Sequence, residues 1–154
     1  DNKNLGAIKL NKILWFIDKE HYKKYGETLT NHRYIKRIFG PVPAKILPTI
    51  DYLISQNKIQ IIEEPCGSVV MKKHLSKEDI SLTSELTEEQ IALIDKFIDN
   101  ICDNYTANEI SNNTHDKIWK LASDGEEIPM YATLVANLCP IYDAEIAWAK
   151  QILG

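Results

Sequence analysis

The 154-residue chain is poor in the residues that staple, chelate or cradle, with three cysteines, four histidines and six glycines. Cys66, Cys102 and Cys139 are widely spaced, odd in number and free of any Cys-x-x-Cys pair. Such a set excludes a disulfide framework and a zinc knuckle. Cys102, at helical spacing from Ile98, Ile101 and Tyr105, reads as a small core hydrophobe. His21, His32, His74 and His115 show neither an i, i+4 pair nor a His-Glu-x-x-His motif, so no metal site is expected. Nucleophile and phosphate signatures are absent too: no Gly-x-Ser-x-Gly elbow, no Gly-x-Gly-x-x-Gly run, no Gly-Lys-Ser/Thr triplet. The chain is therefore read as a non-enzyme without a cofactor. Its longest apolar runs, such as Ile13 to Ile17, fall far short of the roughly 20 residues a bilayer requires. No basic-plus-apolar leader is visible, and a cytoplasmic location away from membranes is the expectation.

What is present suits one globular unit. Hydrophobic residues make up 44% of the chain and charged residues 26%, enough for a single core, and residues 1–154 read as one domain. The net charge of -4 hides an uneven distribution: residues 1–77 carry +7, residues 78–154 carry -11. Either half could attract an oppositely charged partner, or the two halves could neutralise each other within the fold.

The periodicity predicts a mainly α protein, a helical bundle with a small antiparallel hairpin. Leu10, Ile13, Leu14, Ile17 and Tyr22 mark the buried face of a first helix, with Lys12, Lys19, Lys23 and Lys24 on its remainder and Gly26 as its stop. Thr28 to Phe39 is rich in β-formers and is open to either extended structure or irregular loop. Gly40-Pro41-Val42-Pro43 blocks helix propagation, and Pro43 can begin the next helix, Ala44 to Gln56. Lys58 to Glu63 and Ser68 to His74, joined by Pro65-Cys66-Gly67, read as a hairpin. Strand is expected in those two regions alone. Ser76 to Glu85 is the best linker candidate. Thr87-Glu88-Glu89-Gln90 and Thr106-Ala107-Asn108-Glu109 are capping boxes that open two successive helices. Helix resumes from Asp116 to Ala122, breaks at Pro129, and closes the chain from Tyr142 to Leu153.

Several short motifs in this order resemble the SocA-like, or Panacea, antitoxin domain. Lys9, Leu10, Lys12, Phe16, Asp18, His21, Tyr25 and Gly26 fit its first motif, with Trp15 in place of the usual tyrosine. Leu29-Thr30, Tyr34 and Gly40-Pro41-Val42-Pro43 are similar to its second, although Asn31-His32 replaces the more usual Gly-Asp. The likeness continues through Thr106 to Ser111 and Thr114-His115-Asp116 with Trp119, and extends through Ile128-Pro129 and Tyr131 to Ile146-Ala147-Trp148-Ala149. The resemblance implies an antitoxin that neutralises a protein toxin by direct contact, with an AAA+ protease as a second partner where such proteins act as proteolytic adaptors. Lys9, Trp15, Asp18, His21, Tyr25, Gly26, Gly40, Pro41, Pro43, His115 and Trp119 are taken as motif residues, Gly40, Pro41 and Pro43 as architectural, and His115 with Trp119 as a tie between helical parts.

Two candidate working surfaces are a basic-aromatic patch and, second to it, an acidic face around Asp95, Asp99 and Asp103. Arg33, Tyr34, Lys36 and Arg37 form the basic-aromatic patch between a helix stop and a proline elbow, suited to an acidic face of a toxin. In that reading Tyr34 is exposed; the alternative is that Tyr34 fills the core and the charges are merely solvated. The competing function is a winged-helix-like DNA-binding regulator, with Arg33, Lys36, Arg37, Lys72 and Lys73 meeting phosphates. The acidic balance, with a pI of about 5.6, speaks against nucleic acid as the partner.

Overall fold

Helix α1 (Ala7–Tyr25) organises the computed structural model, which describes residues 5–77 and 85–135 together with Ala144, Ala147, Trp148, Gln151 and Ile152. The helix stops at Gly26, whose φ of 76° suits a residue without Cβ and whose N–H donates to the Tyr22 carbonyl at 2.8 Å. Lys23 and Lys24 occupy the last turn, at the negative end of the helix dipole.

Apolar packing takes both flanks of α1. Ile13 and Ile17 join Ile101, Cys102 and Ile110 in a cluster with α3 (Glu88–Asn104) and α4 (Ala107–Asn112). Trp15, two positions from each isoleucine and so nearly opposite them on the helix, packs with Tyr34, Ile128 and Met130 in a second cluster. Little of the helix is left to water, and Lys9, Lys12, Asp18 and His21 are buried with the apolar residues. Lys12 therefore does not lie on a solvated face, because that face is covered by the second cluster's sheet.

That sheet is three-stranded and antiparallel, in the order β2-β1-β5, from β1 (Tyr34–Arg37), β2 (Gly40–Pro43) and β5 (Glu127–Ile128). Two of these strands correct the sequence reading, which confined strand to Thr28–Phe39 and the later hairpin. The Gly-Pro-Val-Pro elbow is itself β2: prolines at alternate positions miss donors on one side only, which an edge strand leaves unpaired. Pro43 thus ends a strand instead of opening a helix, and α2 (Ile46–Ser55) starts three residues later, with Pro48 tolerated in its first turn. Strand β5 is two residues long, too short to show any periodicity.

The hairpin pairs β3 (Ile59–Cys66) with β4 (Val69–Ser76) and is longer than the alternation suggested. Its connection is only Gly67-Ser68, with Gly67 at φ 61°. Both capping boxes form: Thr87 and Thr106 accept from the amides of Gln90 and Glu109, and those side chains bind back to the N-cap N–H groups. Helix α5 (Lys117–Leu121) is capped by Asp116, and a short α6 (Ala132–Val135) follows Pro129. Mainly helical architecture with small antiparallel strands holds. The linker candidate, most of the closing helix and Cys139 lie outside the described residues. No helix among the described residues is long and apolar enough to cross a membrane.

Candidate functional site

The turn between β1 and β2 is braced by its carbonyls. Trp119 Nε1 donates to the Arg37 carbonyl at 3.1 Å, Ser111 Oγ to the Phe39 carbonyl at 2.9 Å, and Lys12 Nζ to the Pro41 carbonyl at 2.9 Å. Three elements, α5, α4 and α1, thus hold every second carbonyl of one five-residue stretch. Gly40 lies in the middle at φ 100°, and a Cβ there would stand 2.2 Å from Thr114 Oγ1 and 2.5 Å from Lys12 Nζ. Thr114 Oγ1 in turn donates to the Ser111 carbonyl at 2.7 Å. Burial strips water from the Lys12 ammonium and lowers its pKa to about 7.

A second polar knot fixes the start of β1. Asp18 is 0% exposed and accepts from the Thr30 amide at 2.8 Å, from the Thr30 hydroxyl, and from the Tyr34 hydroxyl at 2.7 Å. A buried carboxylate with this many donors is tolerable where an unpaired one is not. The Tyr34 ring meets Trp15 edge-on, centroids 4.9 Å apart. Burial first, then the Asp18 charge and its hydrogen bond, push the Tyr34 hydroxyl far above its ordinary value of 10.

The remaining motif residues close the helix ends. Lys9 Nζ donates to the Cys102 carbonyl at 3.0 Å, satisfying one of the orphan acceptors at the end of α3. His21 Nδ1 donates to the Glu27 carbonyl at 2.8 Å, which leaves Nε2 to accept from the Gln90 amide at 3.3 Å. Asp18 and His21 therefore serve different partners and do not pair with each other. Tyr25 donates to Glu89 at 2.6 Å. His115 stacks on Trp119 with centroids 3.8 Å apart and planes 12° from parallel. Burial, reinforced by Lys12, Lys120 and Lys36, lowers the His115 pKa. Lys36 Nζ lies 4.4 Å from the Trp119 ring centre and donates to the Ala122 carbonyl at 2.6 Å.

The basic-aromatic patch is only partly a surface. Tyr34, 1% exposed, is a core residue, so the expectation of an exposed Tyr34 is overturned: its ring fills the space beside Trp15 and its hydroxyl is committed to Asp18. Lys36 is turned inward onto Trp119. Arg33 and Arg37 are exposed and paired with Glu127 at 3.3 Å and Asp124 at 3.1 Å. Lys72 and Lys73 pair with Glu63 and Glu64 across the hairpin. The cations read as phosphate contacts thus each have an acid, a carbonyl or a ring beside them. Arg33 and Arg37 meet acids of the C-terminal half, whereas Lys72 and Lys73 meet acids of their own half. Among the described residues no group of three or more His, Cys, Asp or Glu is placed to hold a metal ion.

The model of the SocA-like antitoxin family, Panacea domain, matches residues 10–120. The chain belongs to that family. The matched span ends at Lys120, short of the likeness read as far as Ala149, and no curated protein or solved structure matches. Within the span, six of the SocA-like motif residues, Lys12, Asp18, Tyr34, Gly40, Pro41 and Trp119, hold one turn and the strands that carry it. Ser111 and Thr114 belong to the same brace. Their part was not legible, because a serine and a threonine near a helix end ordinarily read as caps or solvated residues. What the brace displays is apolar: Ile38 is 74% exposed and Phe39 52% exposed.

Proposed function

We propose that this chain is an antitoxin that neutralises a protein toxin by direct, stoichiometric contact in the cytoplasm, with no catalysis of its own. The observation that carries the reading is the family match over residues 10–120. It is supported by the division of labour in the brace, where the bracing residues hold the backbone from inside and leave Ile38 and Phe39 exposed at the turn. Arg33 and Arg37 border that arm and form the charged part of the contact surface, whereas Tyr34 and Lys36 act as its support. The local pairing of Arg33, Arg37, Lys72 and Lys73 with carboxylates favours a protein partner over nucleic acid, which needs unneutralised cations along a phosphate track.

The test is co-expression with the product of the neighbouring reading frame. The neighbour alone should arrest growth, and the pair should restore it and co-purify at a fixed ratio. The adaptor role implied by the resemblance adds a second readout: the toxin's half-life should shorten in the presence of this chain and lengthen when the host's AAA+ protease is deleted. Growth arrest that this chain does not relieve sinks the reading.

A further inference from the structure

The β1–β2 turn is chemically out of character. A turn that closes through a glycine at positive φ favours Asn, Asp, Ser or Gly at its corners, because short polar side chains bond to the local backbone. Here the corners are Ile38 and Phe39, exposed to 74% and 52%. Neither belongs to either core cluster. Two large apolar side chains left this exposed contribute little to folding, yet the backbone beneath them is held by the Trp119, Ser111 and Lys12 hydrogen bonds and by the tight fit at Gly40.

We propose that Ile38 and Phe39 are the anchor of this protein, inserted together into an apolar cleft on the toxin. The proposal rests on the antitoxin reading above and adds which residues grip and what they grip. The shape selects a concave partner: a two-residue convex tip has little area to lay on a flat surface, but its two side chains fill a pocket. The tip alone covers roughly 300 Å² where a stable interface uses about 800 Å² per partner, so it is the centre of a larger contact, and a second copy meeting it tip to tip offers no pocket for it. The charges beside the tip select against nucleic acid and anionic lipid, because Arg37 and Arg33 already face Asp124 and Glu127. An apolar centre with a locally neutral charged rim is the usual anatomy of a protein contact. Bracing adds affinity, since the turn has little freedom left to lose on binding.

The experiment measures binding of the purified neighbouring toxin to four forms of the full chain: parent, Ile38→Ala, Ile38→Asn/Phe39→Asp, and a control on α2, Leu47→Ser/Tyr52→Ser. Asn and Asp suit the turn, so the double variant should melt at or above the parent's temperature. Ile38→Ala removes mostly solvent-exposed atoms and keeps the test valid if the double variant folds poorly. The expected result is a loss of at least tenfold for Ile38→Ala and at least a hundredfold, with no growth rescue, for Ile38→Asn/Phe39→Asp. The α2 control should stay within threefold of the parent. Tip variants that bind within threefold of the parent overturn the anchor while leaving the antitoxin reading intact. So does a toxin-free dimer that dissociates on Ile38→Ala. A parent that neither binds nor rescues overturns the antitoxin reading itself, and the anchor with it.

Discussion

The Tyr34 hydroxyl donates to Asp18 at 2.7 Å in a place that neither residue shares with water. This bond joins the middle of α1 to the first residue of β1, so the helix that carries the motif sets the position of the arm. Tyr34→Phe removes the donor and leaves Asp18 with Thr30 alone. We expect a loss of about 1.5–3 kcal/mol, the range for a hydrogen bond to a charged group, read from urea unfolding with an unchanged m-value. The same residue has a pH signature. Its folded pKa is raised, so above about pH 10 the unfolded chain releases a proton that the folded chain keeps. The stability contributed below pH 10 is lost as pH rises beyond it, and Tyr34→Phe should flatten that decline.

Lys12 has the opposite sign. Its folded pKa of about 7 lies below the ordinary 10.5, so across that window the unfolded chain holds a proton that the folded chain has released. Stability should rise with pH between 7 and 10.5 and fall as pH drops through 7, with a slope of up to about 1.4 kcal/mol per pH unit from this one group. Lys12→Met should abolish the rise while depriving the Pro41 carbonyl of its donor, at a cost of about 1–3 kcal/mol. Urea midpoints at pH 6 and pH 9.5 separate the two effects. An identical pH dependence in parent and variant would show that Lys12 stays charged when buried.

Gly40 and Gly67 make a matched pair. Both have positive φ, but a Cβ at Gly67 meets nothing within 4 Å whereas one at Gly40 collides with Thr114 Oγ1 and Lys12 Nζ. Gly67→Ala should therefore cost only the backbone strain, about 1 kcal/mol, and Gly40→Ala about 3 kcal/mol or more. Adding Thr114→Ala to Gly40→Ala removes the nearest obstacle and should recover part of the loss. Thermal melts of the parent and these three variants check the order.

The legible and illegible parts of this chain differ for physical reasons. The stop at Gly26, both capping boxes and the buried Cys102 were readable because each depends on neighbours within a few residues. The fate of Lys12, Asp18 and Tyr34 was not, because it depends on α1 being covered on two flanks, a fact of tertiary packing that one helix's periodicity does not contain. The Gly-Pro-Val-Pro strand was hidden by a sound rule: proline does suppress ladder pairing, except at an edge, and edges are known only once the sheet order is. At the arm, β-forming character was read correctly over Tyr34 to Arg37. The exposure of Ile38 and Phe39 at its corner was not legible, since an isoleucine and a phenylalanine in sequence ordinarily mean core.

The last prediction tests whether the brace acts by rigidity. Trp119→Phe keeps an aromatic ring for His115 and Lys36 to pack on but deletes the donor to the Arg37 carbonyl; Ser111→Ala deletes the donor to the Phe39 carbonyl. Each should cost about 0.5–1.5 kcal/mol of stability, and the pair should deviate from additivity because both act on one turn. The informative measurement is local. Backbone order parameters at Ile38 and Phe39 should fall from values typical of rigid structure, about 0.85, toward 0.6 in the double variant, while those of α1 and α3 stay unchanged. A turn that stays rigid without these two donors would mean that Lys12 and the Gly40 packing suffice to hold it, and Trp119 would then matter through its ring alone.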